Sequence, residues 1–189
     1  MSNGARVPRQ DAIDVWNDAV SRAFQTFAFY HWHWLEHGNP ALRTDVQSHT
    51  VKNAALESSL MAVRDLDDFF RTAGQGDDVL AVDFGFPSSG GFLSRDERGG
   101  INKKLAHLTY RAVHERRQSP TPINPRTWNN ADFVNRAMNA FVVFLDHLDV
   151  TFFASDPEQQ KIARSARSAI NHTLANINAI ARQELEFTA

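Results

Sequence analysis

The chain has 189 residues, enough for one domain with a sizeable buried core, and its 42% hydrophobic and 22% charged residues exclude wholesale disorder. Twenty basic against 22 acidic side chains leave a formal charge of -2, which excludes a uniformly basic coat for nucleic acid. There is no cysteine, so disulfides, thiolate catalysis and cysteine zinc sites are excluded, and no apolar run approaches the ~20 residues that span a bilayer.

Residues 1–10 read as a flexible tail, basic but with no apolar segment behind it, unlike a secretory leader. A cytoplasmic location without membrane contact is the expectation, and residues 11–187 form a single helical domain. From Asp11, the apolar positions Ile13, Trp16, Val20, Phe24, Phe27, His31 and Trp34 step by three or four, one face of a long first helix that Gly38 and Asn39-Pro40 stop. A second helix is predicted from about Leu42 to Ala73, with Leu56, Leu60, Val63, Leu66 and Phe70 on its core side and Gly74 and Gly76 ending it.

Residues 74–100 hold the one long loop, of the length that tends to carry function. Within it, Val79–Phe84 has the only trace of extended pattern. Ser94-Arg-Asp-Glu97 has the spacing of a capping box, but Gly99-Gly100 weakens a helix begun there, so the firm part of helix three is Ile101 to about Arg117. The prolines of 119–125 force an extended connector. Helix four spans Asn130 to Phe153 on Val134, Met138, Phe141, Leu145, Leu148 and Phe152. Ser155-Asp-Pro-Glu158 then starts a last helix on Ile162, Ala166, Ile170, Leu174, Ile177 and Ala181. The fold class is therefore all-α, one bundle of about five helices.

Two constellations carry chemical interest. On helix two, Asn53, Glu57, Arg64 and Asp68 fall on one arc beside the apolar stripe, where charges need partners. Helix three offers Lys103, His107, Tyr110 and His114 on one arc, with Lys104 and Arg111 at its edge. Facing each other, these arcs make either an acid/base and anion site or an interhelical salt-bridge network. In the second constellation, His33 and His37 are four apart and have the spacing of a metal pair. No His-Glu-x-x-His motif accompanies them, and no metal or other cofactor is expected. Gly-x-Ser-x-Gly and phosphate-loop patterns are absent from the sequence.

The run Asn53-x3-Glu57-x-x-Leu60-x3-Arg64-x-Leu66-x-Asp68-Phe69-Phe70, followed by Asp77-Asp-Val-Leu-Ala81 and Ile101-Asn-Lys-Lys-Leu-Ala-His-Leu-Thr-Tyr-Arg111, resembles uncharacterised bacterial helical proteins of the HEPN-like superfamily. The resemblance covers residues 50–112 and implies a helical fold, RNA as substrate or ligand, and a homodimer. Many HEPN proteins are metal-independent ribonucleases of toxin–antitoxin and phage-defence systems, with an Arg-x4–6-His motif meeting its copy across the dimer. On that pattern His107 is the acid/base group, Glu57 and Arg64 complete the catalytic set, and Lys103, Lys104, Arg111 and Asn53 hold the substrate. The chain departs from the motif before His107, where Gly100, Ile101 and Asn102 offer no arginine; Arg43/His49 and Arg167/His172 have the spacing at about the frequency chance gives. The alternative is a non-catalytic binding or dimerisation module, working on a protein partner, in which the polar inter-helix network is structural.

Overall fold

The computed structural model describes residues 13–23, 25–26, 46–74, 78–87, 90–106 and 130–188. Its elements are all helical and number five α-helices among the described residues: α1 (13–23 and 25–26), α2 (Val46–Phe69), α3 (Arg95–Ala106), α4 (Asn130–His147) and α5 (Pro157–Thr188). A 3-10 turn at Ala81–Phe84 and a π turn at Leu148–Phe152 interrupt the connections, and no described residue is in a strand. No described helix is long and apolar enough to cross a membrane.

The apolar stripes do most of the assembly. Leu60, Val63 and Leu66 of α2, with Phe70 just past its end, are buried with Val134, Met138, Phe141 and Leu145 of α4 and Leu148 of the π turn, while Trp16 and Ala23 are buried on α1. Phe144, outside the expected α4 stripe, is fully buried at the centre of an aromatic cluster. Its ring lies 5.1 Å from Phe69, 5.5 Å from Phe84, 5.4 Å from Phe86 and 5.8 Å from Phe141, mostly edge-to-face. Such pairs add to the stabilisation from area burial alone. On α5 the buried positions are Ala163, Ala166, Ile170 and Leu174; Ile162, expected on the stripe, is exposed because the buried arc starts one residue later.

Four elements differ from the sequence expectation, the fourth helix among them, which ends at His147 and passes into the π turn short of Phe153. Helix α2 ends at Phe69, before its glycines: Phe70 N–H still bonds Leu66 C=O at 3.2 Å, but Arg71 N–H turns to Asp68 C=O at 3.1 Å, a tightened last turn. The extended reading of 79–84 gives way to the 3-10 turn, in which the Asp83 carboxylate accepts the Leu80 N–H at 2.8 Å and Gly85 closes the turn at φ 74°. Helix α3 starts at Arg95, six residues ahead of the expected start, since the capping box forms in full. Glu97 N–H donates to Ser94 Oγ at 3.2 Å and Ser94 N–H to Glu97 at 2.8 Å. Asp156 begins α5 in the same manner, accepting the Gln159 N–H at 3.3 Å with Pro157 in the first helical position. Between α4 and α5, Phe153 N–H bonds Leu148 C=O at 2.8 Å, the i→i+5 bond of the π turn.

Candidate functional site

Helix α2 carries two adjacent aspartates at its C-terminal end with different surroundings. Asp67 shares the apolar stripe with Leu60, Val63 and Phe70 and has no exposed surface. A buried carboxylate needs several donors. One oxygen takes Arg71 Nε at 2.9 Å and Nη2 at 2.7 Å; the other takes the backbone N–H groups of Phe92 at 2.8 Å and Leu93 at 2.7 Å. The same Arg71 reaches Leu93 C=O at 3.3 Å. Gly91 lets the loop come this close. It has φ 86°, and a Cβ there would stand 2.5 Å from Asp67 Oδ1.

Asp68 points outward beside Asp67 and pairs with Arg98 from the first turns of α3; Arg64 and Arg71 each lie 3.8 Å away. Its carboxyl is raised above the ordinary range by burial, against the opposing pull of Arg98 and Arg64. From α4, Arg136 forks onto Glu97 at 2.7 and 3.2 Å, takes Phe92 C=O at 2.9 Å and reaches Asp132 at 3.0 Å. The hydrogen bond from Arg136, helped by Ser94, pulls the Glu97 carboxyl down to about 2. The result is a chain of ion pairs from α2 through residues 91–94 and the start of α3 to α4.

Of the residues singled out from sequence, Arg64 and Asp68 belong to this network, 3.8 Å apart on one helix face. Glu57 is exposed two turns earlier. The side chains of Asn53, Lys103 and Lys104, and all of His107, Tyr110, Arg111, His114, His31, His33 and His37, lie outside the described residues. Arg167 pairs with Asp146, and His172 is exposed on α5. The residues that sequence reasoning missed are Asp67, Arg71, Glu97, Arg98 and Arg136. Asp67 had a readable signal, because a carboxylate sits there in an otherwise apolar register four residues after Val63 and three before Phe70.

Chemically, the network matches carboxylates with arginines, while Arg64 Nε and Arg136 Nε are buried without a hydrogen-bond partner. Its carboxylates are held by arginines, whose guanidiniums stay protonated at any working pH and are poor proton donors. The described interior histidine, His147, has Nε2 3.0 Å from Phe84 C=O and its ring 5.4 Å from Phe86, on the other side of the aromatic cluster. Among the described residues, no group of three or more His, Asp or Glu is placed to hold a metal ion.

Among the described residues an open concave surface lies on the neighbouring face of α2, between it and α1. A cleft of about 470 Å³ is walled by Asp18, Arg22, Asp65, Asp68 and Asp78, with Val15, Ala19 and Val79 along its base. A second hollow of about 400 Å³ is bounded by Gln25, Thr26, Ser58, Met61 and Ala62, and the two share Asp18, Arg22 and Asp65 as lining. Arg22 bridges the two walls, 3.2 Å from Asp18 and 2.6 Å from Asp65. Set against family models, curated proteins and solved structures, the chain matches none of them.

Proposed function

We propose that this protein is a non-catalytic helical binding module, in which the arginine–carboxylate network is a structural brace and the α1/α2 trough is the face that meets a partner. The observation that carries the reading is the saturation of Asp67, which takes two arginine N–H bonds and two backbone N–H bonds while fully buried. A carboxylate so engaged has no lone pair to spare for a substrate proton, and its neighbours Asp68 and Glu97 are each matched by an arginine.

The test sets this reading against the ribonuclease reading that the HEPN-like resemblance suggests, in which His107 moves the proton. Total RNA is incubated with wild-type protein and with His107→Ala in the presence of EDTA. We expect no cleavage, or equal background cleavage, in both. Cleavage by the wild type that disappears in His107→Ala overturns the binding-module reading and restores the nuclease.

A further inference from the structure

We infer that the seam between α2 and α3 binds a phosphate group, held by Arg64 and Arg98 with the Asn102 amide as a third polar contact. This goes beyond the binding-module reading, which stands or falls without it.

The arginines of the network are not all used alike. Arg71, Arg98 and Arg136 each pair closely with a carboxylate. Arg64 does not. The carboxylate it approaches, Asp68, lies 3.8 Å from its Nε, beyond hydrogen-bond length. That Nε is shielded from solvent and has no hydrogen-bond partner. A shielded donor without an acceptor is costly, and such a group calls for a water or an ion beside it. Arg136 Nε is also unmatched, but both terminal nitrogens of Arg136 are engaged, by Glu97, Phe92 C=O and Asp132.

A second unmatched atom belongs to the facing helix. Asn102 Oδ1 is likewise shielded and without a partner. Asn102 follows Arg98 by one turn of α3, and Arg64 precedes Asp68 by one turn of α2, so each pair shares a helix face. The Arg98–Asp68 ion pair ties those two faces together. The unmatched donor and the unmatched acceptor therefore border the same seam, one from each helix.

Charge and valence decide the ligand. Arg64 approaches Asp68 from α2, Arg71 from just past its end and Arg98 from α3. Guanidinium groups arriving from different elements suit the several oxygens of a tetrahedral anion better than the two of a planar carboxylate. Arg64 and Asp68 are half-exposed, so a small ion reaches them from solvent. Hydrogen phosphate also carries an O–H, which Asn102 Oδ1 accepts while the guanidinium groups donate to the remaining oxygens. Sulfate has the same shape and no proton to give.

Asp68 is then an anion already standing where the phosphate charge must come. Removing its charge strengthens phosphate binding, a response that a purely structural Asp68 does not produce.

The full-length protein is titrated with sodium phosphate in a calorimeter at neutral pH and fixed ionic strength, with sodium sulfate as the control. We expect one saturable phosphate site and clearly weaker sulfate binding. Arg64→Gln weakens phosphate about tenfold or more, the worth of one charge-assisted hydrogen bond. Asn102→Ala weakens it several-fold, and Asp68→Asn tightens it several-fold. Without phosphate, Arg64→Gln melts close to wild type, because its pairing with Asp68 is long and half-exposed. Should that variant lose its fold, Asn102→Ala decides by the same comparison.

Absent phosphate binding, equal binding of sulfate, wild-type affinity in Arg64→Gln, or weaker binding in Asp68→Asn overturns the inference.

Discussion

At position 67 an amide is a poor replacement for a carboxylate. The present Asp67 uses one oxygen for Arg71 and the other for the Phe92 and Leu93 N–H groups, so Asn would turn an NH2 toward one set of donors. Leaving such groups unmatched inside a protein costs about 3 kcal/mol. For a chain of this size, Asp67→Asn should therefore lower Tm by about 6–12 °C, measured by circular dichroism, while Asp65→Asn on the exposed side stays near wild type. Two adjacent glycines sharpen the point. Gly90 and Gly91 both have positive φ, 80° and 86°, so alanine costs about 1 kcal/mol or more at either. Only at Gly91 does the new methyl also meet Asp67; around Gly90 there is open space. Urea titrations should show Gly91→Ala losing clearly more stability than Gly90→Ala. Equal losses would mean that the close approach of loop and helix is not what holds residues 91–93 in place.

Helix α3 owes its early start to two residues of opposite sign, one in its own cap and one across the interface. Glu97 closes the capping box with Ser94 and receives Arg136 from α4, and the Arg136 bond is the larger cause of its lowered pKa. A carboxylate with a folded-state pKa near 2 and an ordinary unfolded one stabilises the fold fully above about pH 5. It loses that contribution as the pH falls through its folded pKa. Asp68, with its carboxyl raised, acts in the opposite direction, so the comparison should be made against a variant that removes Glu97 alone. Stability measured from pH 6 down to pH 2 should fall less steeply in Glu97→Gln than in wild type, with Ser94→Ala costing about 1 kcal/mol at pH 7. The cap was legible in the sequence as Ser94-x-x-Glu97, yet the glycines at 99 and 100 argued against it. Local propensity gave the wrong boundary because Arg136, 39 residues further along the chain, holds Glu97 in place. The stripes of α2 and α4 were legible because a 3.6-residue period needs no knowledge of the partner. Asp67 was passed over because it lies within the apolar register instead of on the charged arc beside it. Ile162 misled for the converse reason, since an apolar residue just past a helix start can face outward while small Ala163 faces in.

Across the whole molecule, one ring connects pieces that are far apart in the chain. Phe144 touches Phe69 from the end of α2 and Phe70 just beyond it, Phe84 from the 3-10 turn and Phe86 from the loop beyond it. Phe144→Ala should cost about 3–5 kcal/mol. Because the ring's neighbours belong to separate elements, wild-type unfolding in urea should give coincident transitions by far-ultraviolet circular dichroism and by aromatic signals. Separate transitions would show that α4 and α5 form a unit independent of α2. The π turn places a further condition on the same architecture. Its i→i+5 bond accommodates one residue more than a regular α-helical turn, and it sets Phe153 edge-on against Trp16 at 5.9 Å. Removing a residue from 148–152 would restore ordinary helix geometry locally, but it would turn everything after it by about 100° about the helix axis. Phe153 would swing away from the Trp16 indole, and Asp149 would lose Arg164, which holds its carboxyl below the usual range. In this chain, length at the α4–α5 junction therefore constrains the fold as much as any side chain within it.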